Sequence, residues 1–309
     1  MKYPVISLII ILFLGIYSCN RDEVFEKEQY KNVFALISGS SNVSTKYHKL
    51  GEESTGYVAA SCGGTNPTQK DIVVDLVEDR SLIDKYNTIN YDVDIAQYAH
   101  PLPKSKYDID SYQFTIPAGE IGGKLPITIR PDGLCPDSTY MIALRVESHS
   151  TYEANPDKNF VLYIVKIKNY WARSDGSSTY SMKGKIRVKG AISEIEVPGM
   201  KTMSPIGKNK VRIMAGNETY ESDIAVLNKT AIVLEIADDN KVTISPYNSI
   251  VLHQIDGDSY FPNIFKIEDD GYNTYKTFLL HYEYTVGNTT YEIKEELRLE
   301  FDPENEVNN

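Results

Sequence analysis

The stretch Asp256-Gly257-Asp258-Ser259-Tyr260-Phe261-Pro262-Asn263 carries the residue types that bear most directly on chemistry. Apolar sugar faces stack on aromatic rings while carboxylate and amide groups bind the hydroxyls around them, so such a loop suits glycan capture. The single tryptophan, Trp171, and Tyr272 also stand outside the alternating strand positions and join it as candidates. The plainer alternative for each ring is packing at a loop base or between domains. Trp171, beside an expected domain boundary, suits that role best.

Cleaving a glycosidic bond takes two carboxyl groups that flank it. Asp92/Asp94, Asp108/Asp110 and Asp256/Asp258 offer pairs, but closely spaced acids are also ordinary in turns and solvated strands. His48, His100, His149, His253 and His281 are scattered without the local spacing that zinc sites use. Neither Asp256-Gly257-Asp258 nor Glu268-Asp269-Asp270-Gly271 follows the calcium loop of an EF-hand. No G-x-S-x-G nucleophile elbow is present. The sequence therefore assigns no catalytic residue, metal or cofactor, and a non-enzymatic protein is expected.

The amino terminus fixes an expectation about place. Lys2, the apolar run from Val5 to Tyr17, and small Ser18 before Cys19 have the layout of a signal peptide. The run falls short of the ~20 residues needed to cross a bilayer. Ile16-Tyr17-Ser18-Cys19 resembles the lipobox of bacterial lipoproteins, although Tyr17 stands where that family usually has a small residue. The resemblance implies cleavage before Cys19 and acylation of its thiol and amine, an anchor strong enough to hold in outer-membrane lipid. Acids soon after Cys19 resemble the surface-export signal of such lipoproteins, which implies an outward-facing protein. The alternative is an ordinary secreted chain with a coincidental cysteine.

A length of 309 residues suits two domains, and a formal net charge of −11 repels phosphate backbones, which argues against nucleic acid. With 23 tyrosines the composition favours pleated, half-buried surfaces. Cys62 and Cys135 could pair in an oxidising compartment, though their loop-like settings do not bring them together.

Strict alternation of apolar residues at Phe114 and Ile116, at Leu125, Ile127 and Ile129, and at Tyr140, Ile142, Leu144 and Val146 predicts strands. Ser81 with Asp84 reads as an approximate capping box for one short helix whose face carries Leu82, Ile83 and Tyr86. The long apolar run from Phe160 to Ile167 predicts a strand whose inward face switches near Leu162 and Tyr163 through a bulge. Beyond a polar turn at residues 174–178, alternation resumes and ends in a hairpin about Gly287-Asn288. The expected layout is a signal peptide at 1–18, a tether at 19–31, an immunoglobulin-like β-sandwich at 32–168, and a linker at 169–179. An antiparallel β-sandwich or lipocalin-like barrel at 180–301 and an acidic tail at 302–309 complete an all-β chain.

The segments VDLVEDRSLIDKYN and FTIPAGE, with the strands at Leu125 and Tyr140, resemble the N-terminal domain of a family of Bacteroidetes surface lipoproteins. The ending YKTFLLHYEYTVGNTTYEIKEELR resembles the domain that follows it there. Members occur beside SusC/SusD-like glycan-uptake systems, so the resemblance implies a surface protein that binds glycan or assists such a transporter. The alternative is a structural or protein-interaction module that touches no sugar. Some relatives carry a chitinase-type endoglycosidase barrel with a D-x-x-D-x-D-x-E motif. This chain lacks the motif, since Ala96 follows Asp94 by two residues and tyrosines follow Asp110 and Asp258.

Overall fold

The computed structural model describes residues 30–221 and 223–306. The expected leader, Cys19 and the tether up to residue 29 lie outside the described residues. In the first half, strands β1 (Val33–Leu36), β2 (Val43–Lys49), β3 (Ser54–Gly63) and β4 (Ile72–Glu78) precede helix α1 (Ser81–Tyr91). There follow β5 (His100–Pro101), β6 (Tyr107–Asp108), β7 (Gln113–Ile116), β8 (Gly122–Ile129), β9 (Tyr140–His149), β10 (Glu153–Ala154) and β11 (Phe160–Lys168). They make two sheets, β10-β1-β3-β8-β6 and β2-β11-β9-β4-β7, with β5 beside β9.

The alternating residues read from the sequence supply the core between these sheets. Phe114, Ile116, Leu125, Ile127 and Ile129 are buried and pack with Val58, Leu144 and Tyr163. Strand β11 is apolar at almost every position because both its faces are covered. Val161, Tyr163, Val165 and Ile167 point into the sandwich, while Leu162 and Ile164 lie under α1 with Ile83 and Met141. Its register with β9 is unbroken, so the expected bulge is absent there; an irregularity lies instead in β4, between Asp75 and Leu76. The first turn of α1 is held by Asp79 and not by a Ser81/Asp84 box. Asp79 Oδ1 accepts from the Ser81 N–H at 3.1 Å and from its hydroxyl at 2.6 Å.

The second half opens with β12 (Thr179–Val188), β13 (Ile195–Thr202), β14 (Ser204–Gly207) and β15 (Lys210–Met214), followed by helix α2 (Ile224–Thr230). Next come β16 (Ala231–Ile236), β17 (Val242–Pro246), β18 (Val251–Gln254), β19 (Ile264–Asp269), β20 (Thr274–Val286) and β21 (Thr289–Phe301). The tail begins with one helical turn, Pro303–Glu306. One sheet runs β13-β12-β21-β20-β18 with β19 also paired to β20, and the other runs β14-β15-β16-β17. The chain crosses between sheets at Met203, which is fully buried. The two ladders face one another and are joined along one edge by a single bridge, Lys241↔Ile264, a sandwich and not a lipocalin-like barrel. Helix α2 went unread in the sequence; Asp223 caps it by accepting from the Ala225 N–H at 2.7 Å.

Two devices tie the halves together. Asn169 accepts from the N–H groups of Trp171 and Ala172 and donates to the carbonyls of Gly207 and Lys210. Arg212 of β15, almost wholly buried, makes two 2.6 Å hydrogen bonds to the Asp137 carboxylate of the first half. This fork-to-fork geometry fixes orientation as well as distance.

Candidate functional site

Strands β18 and β19 both pair with β20 on the same side, and the loop between them must bulge past the sheet edge. Its base is locked by Asn263, a buried residue at φ 56°. The Asn263 amide donates to the Ile255 carbonyl at 2.7 Å and to Asp256 Oδ1 at 3.1 Å, and its oxygen accepts from the His281 N–H at 2.7 Å. Its tip is locked by Asp258, which accepts from the N–H groups of Tyr260 and Phe261 at 2.8 and 3.0 Å and from Lys294 Nζ at 2.7 Å. The Lys294 ammonium, then the two backbone donors, hold the Asp258 carboxyl down to about 2. Asp258 is thus occupied in shaping the loop. What the loop presents is Tyr260, 81% exposed, with Phe261 half-buried behind it.

These residues form one wall of a cleft of about 520 Å³ on the outer face of the larger sheet. Its floor is Lys183 and Lys185 of β12 with Lys294 and Glu296 of β21, and its far wall is Glu194, Glu196 and Pro198. Strand register sets the order: Lys185 lies between Glu196 and Lys294, and Lys183 between Pro198 and Glu296. Among the described residues, Lys183, Lys185, Glu194, Glu196 and Glu296 make no ion pair, so their polar ends can turn to a ligand. The sequence reading missed these five. Their signal was the lysines and glutamates recurring at every second position beside the apolar register, as solvent-facing residues of a strand do.

The other candidates are dispersed. Asp256 sits behind the loop, bonded to Gln254 and Asn263. Tyr272 is 95% exposed but belongs to the β19–β20 turn and lines a different depression with Phe301 and Pro303. Trp171 is buried, edge-to-face against Tyr170 and Phe265 at 5.5 and 5.8 Å in the second core, so it cannot be a platform for sugar. The turn made by Asn169 directs it inward.

Cys62 and Cys135 are free thiols, so the pairing left open by the sequence is not made. The ladder of β3 with β8 runs from Ser54↔Ile129 to Ser61↔Gly122, with Cys62 just past one end and Cys135 beyond the other. At about 3.3 Å per residue this puts roughly 20 Å or more between them, far beyond bonding reach. Among the described residues no cluster of metal-ligating side chains occurs. The pair Asp108/Asp110 is no exception, since Asp108 is engaged with Arg130 outside the cleft.

The two halves match known families separately. A family model described as "-like, N-terminal domain" matches residues 25–153, and one described as "-like, C-terminal" matches residues 159–298. A multidomain protein including DUF1735 from Bacteroides ovatus has the same two-part fold. It is 15% identical with a TM-score of 0.63, over 86% of this chain and 94% of that one. Each half of the chain thus matches a family model of its own, and the pair shares its two-part fold with that protein. A protein of unknown function from Bacteroides ovatus is 18% identical with a TM-score of 0.60, over 90% of this chain and 93% of that one. An auxiliary nutrient binding protein from Bacteroides thetaiotaomicron is 18% identical with a TM-score of 0.56, over 85% and 94%. At such identities the likeness is one of fold. No curated protein matches the chain in sequence.

Proposed function

We propose that this protein captures glycan in the cleft under Tyr260, and that acyl chains on Cys19 hold it at the outer face of the outer membrane. There it serves a SusC/SusD-like uptake complex without cleaving the sugar. The observation that carries this reading is the Tyr260 ring, largely exposed on a loop made rigid by Asp258 and Asn263. An aromatic face pre-set in one position loses little entropy when a pyranose stacks on it. The cleft volume lies within the usual range for ligand sites. Lysines and acids alternate across its floor and far wall, so hydroxyls find both donors and acceptors while a polyanion gains little. An uncharged polysaccharide fits best. The fold shared with a protein described as nutrient binding supports the reading.

Affinity electrophoresis of the purified protein through gels containing neutral polysaccharides tests it. At least one should retard the wild type, and Tyr260→Ala combined with Phe261→Ala should abolish the retardation. In cells, Cys19→Ala should move the protein out of the membrane fraction. If no polysaccharide retards the protein and a transporter co-purifies with it regardless of Tyr260, the interaction-module reading replaces this one.

A further inference from the structure

A polar cluster on the opposite face of the sheet from the cleft is sealed between the two sheets of the second sandwich. Glu295 occupies the inward register of β21 between Ile293 and Leu297, and none of its surface reaches solvent. Lys201 of β13, its side chain 5% exposed, reaches past β12 to place Nζ 2.5 Å from Glu295 Oε2. The Tyr282 hydroxyl donates to Oε1 at 2.8 Å and is itself fixed by the Gly216 N–H at 2.7 Å. Glu218 lies near enough for its charge to act on Lys201.

Holding two ions away from water costs several kcal/mol for each. Moving one proton from the ammonium to the carboxylate leaves an amine and an acid, the forms that burial favours. Burial accordingly pushes the Lys201 ammonium down. The amine nitrogen then stands roughly 3.5 Å from the carboxyl carbon, the spacing of a near-attack pair with a very high effective concentration. Tyr282 is placed to stabilise the oxyanion that attack would develop on Oε1.

We propose that Lys201 and Glu295 become joined by an intramolecular isopeptide bond. The Nζ lone pair attacks Cδ, the carbon–nitrogen bond forms, and the Cδ–Oε2 bond breaks. The departing oxygen leaves as water, carrying the acid proton and one proton from the nitrogen, which passes directly across the 2.5 Å contact between Nζ and Oε2. No atom changes oxidation state and no co-reactant is needed. The product replaces a buried amine and acid by one amide, and the dry core protects it from hydrolysis. It staples the edge strand β13 to the last strand β21. The proposal is independent of the glycan reading.

Intact mass spectrometry of the full mature protein tests it. The wild type should weigh one water less than its sequence, and a proteolytic map should contain a branched peptide joining the segments around Lys201 and Glu295. Lys201→Met should restore the full mass, and Tyr282→Phe, which removes the donor to Oε1, should lower the cross-linked fraction in a protein that still folds. Should Lys201→Met not fold, the wild-type mass and peptide map decide alone. A wild type at full mass, or a water deficit that maps elsewhere, overturns the proposal.

Discussion

The buried polar residues of the first sandwich are Asn32, Asn42, His48, Thr68 and Asn87, whereas the second buries Lys201, Arg212, Lys276 and Glu295. Among the described residues, every buried lysine, arginine or acid thus falls in the half that carries the cleft. The first core is close to a plain hydrophobic assembly, stable in proportion to the area it hides. The second accepts charges that weaken it and gains position in return. Arg212 sets the angle to Asp137, Lys276 donates to the Tyr170 carbonyl between the rings of Tyr170 and Phe301, and Lys201 ties β13 to β21. Directional contacts have been concentrated where a surface must keep its shape.

The largest expected effect comes from removing one member of the buried Lys201–Glu295 pair. Lys201→Met leaves Glu295 buried without its partner and should cost roughly 3–5 kcal/mol, whereas Lys201→Met with Glu295→Leu should recover most of that. In the first core Leu125→Ala should cost about 2–5 kcal/mol through its cavity, with no rescuing partner. Denaturant unfolding of the four proteins checks this. A single Lys201→Met that loses under about 1 kcal/mol would erase the contrast between the cores.

The contrast also explains what could be read from the chain. Phe114, Ile116, Leu125, Ile127 and Ile129 announced the first core because alternation maps directly onto burial when every inward residue is apolar. The second sandwich breaks that mapping. Glu295 lies in register with Ile293 and Leu297, so an acid in the apolar phase of a strand was the available sign of a buried partner. Its partner, 94 positions earlier, left no local signal. Of the site, Asp258, Tyr260 and Phe261 were legible because the loop that builds their wall is contiguous in sequence. The lysines and glutamates opposite come from three strands and meet only through sheet register. Trp171 takes the packing role that its place beside the boundary suggested, because Asn169 turns the ring inward out of the polar turn around it.

Acid should separate the two halves next. His48 is buried, its ring nitrogens 2.6 Å from Ser54 Oγ and 3.0 Å from the Tyr163 hydroxyl. Burial, and then the Lys168 charge, lower its pKa from 6.5 to about 4. Between those values the unfolded chain takes up a proton that the native one refuses. Stability is therefore complete above 6.5 and falls as pH drops towards 4, by on the order of 3 kcal/mol. The first sandwich should soften first, visible as faster amide exchange in β2, β3 and β11. His48→Gln should flatten the slope. An unchanged slope in that variant would assign the acid sensitivity to another group.

The smallest expected effect on stability is the most discriminating for function. Gly257, in the loop under Tyr260, and Gly119, in the Pro117-Ala118-Gly119 turn of the first sandwich, have φ of +89° and +81°. A Cβ at either would meet nothing within 4 Å, so alanine there should cost only the backbone penalty, about 1 kcal/mol. The two variants should unfold alike. They should differ in binding, because strain at Gly257 is relieved by shifting the neighbours that Asp258 holds, Tyr260 among them. Glycan retardation should weaken severalfold in Gly257→Ala and stay unchanged in Gly119→Ala. Equal retention by both would mean that the rigidity of this loop, and with it the pre-set Tyr260 face, contributes nothing to capture.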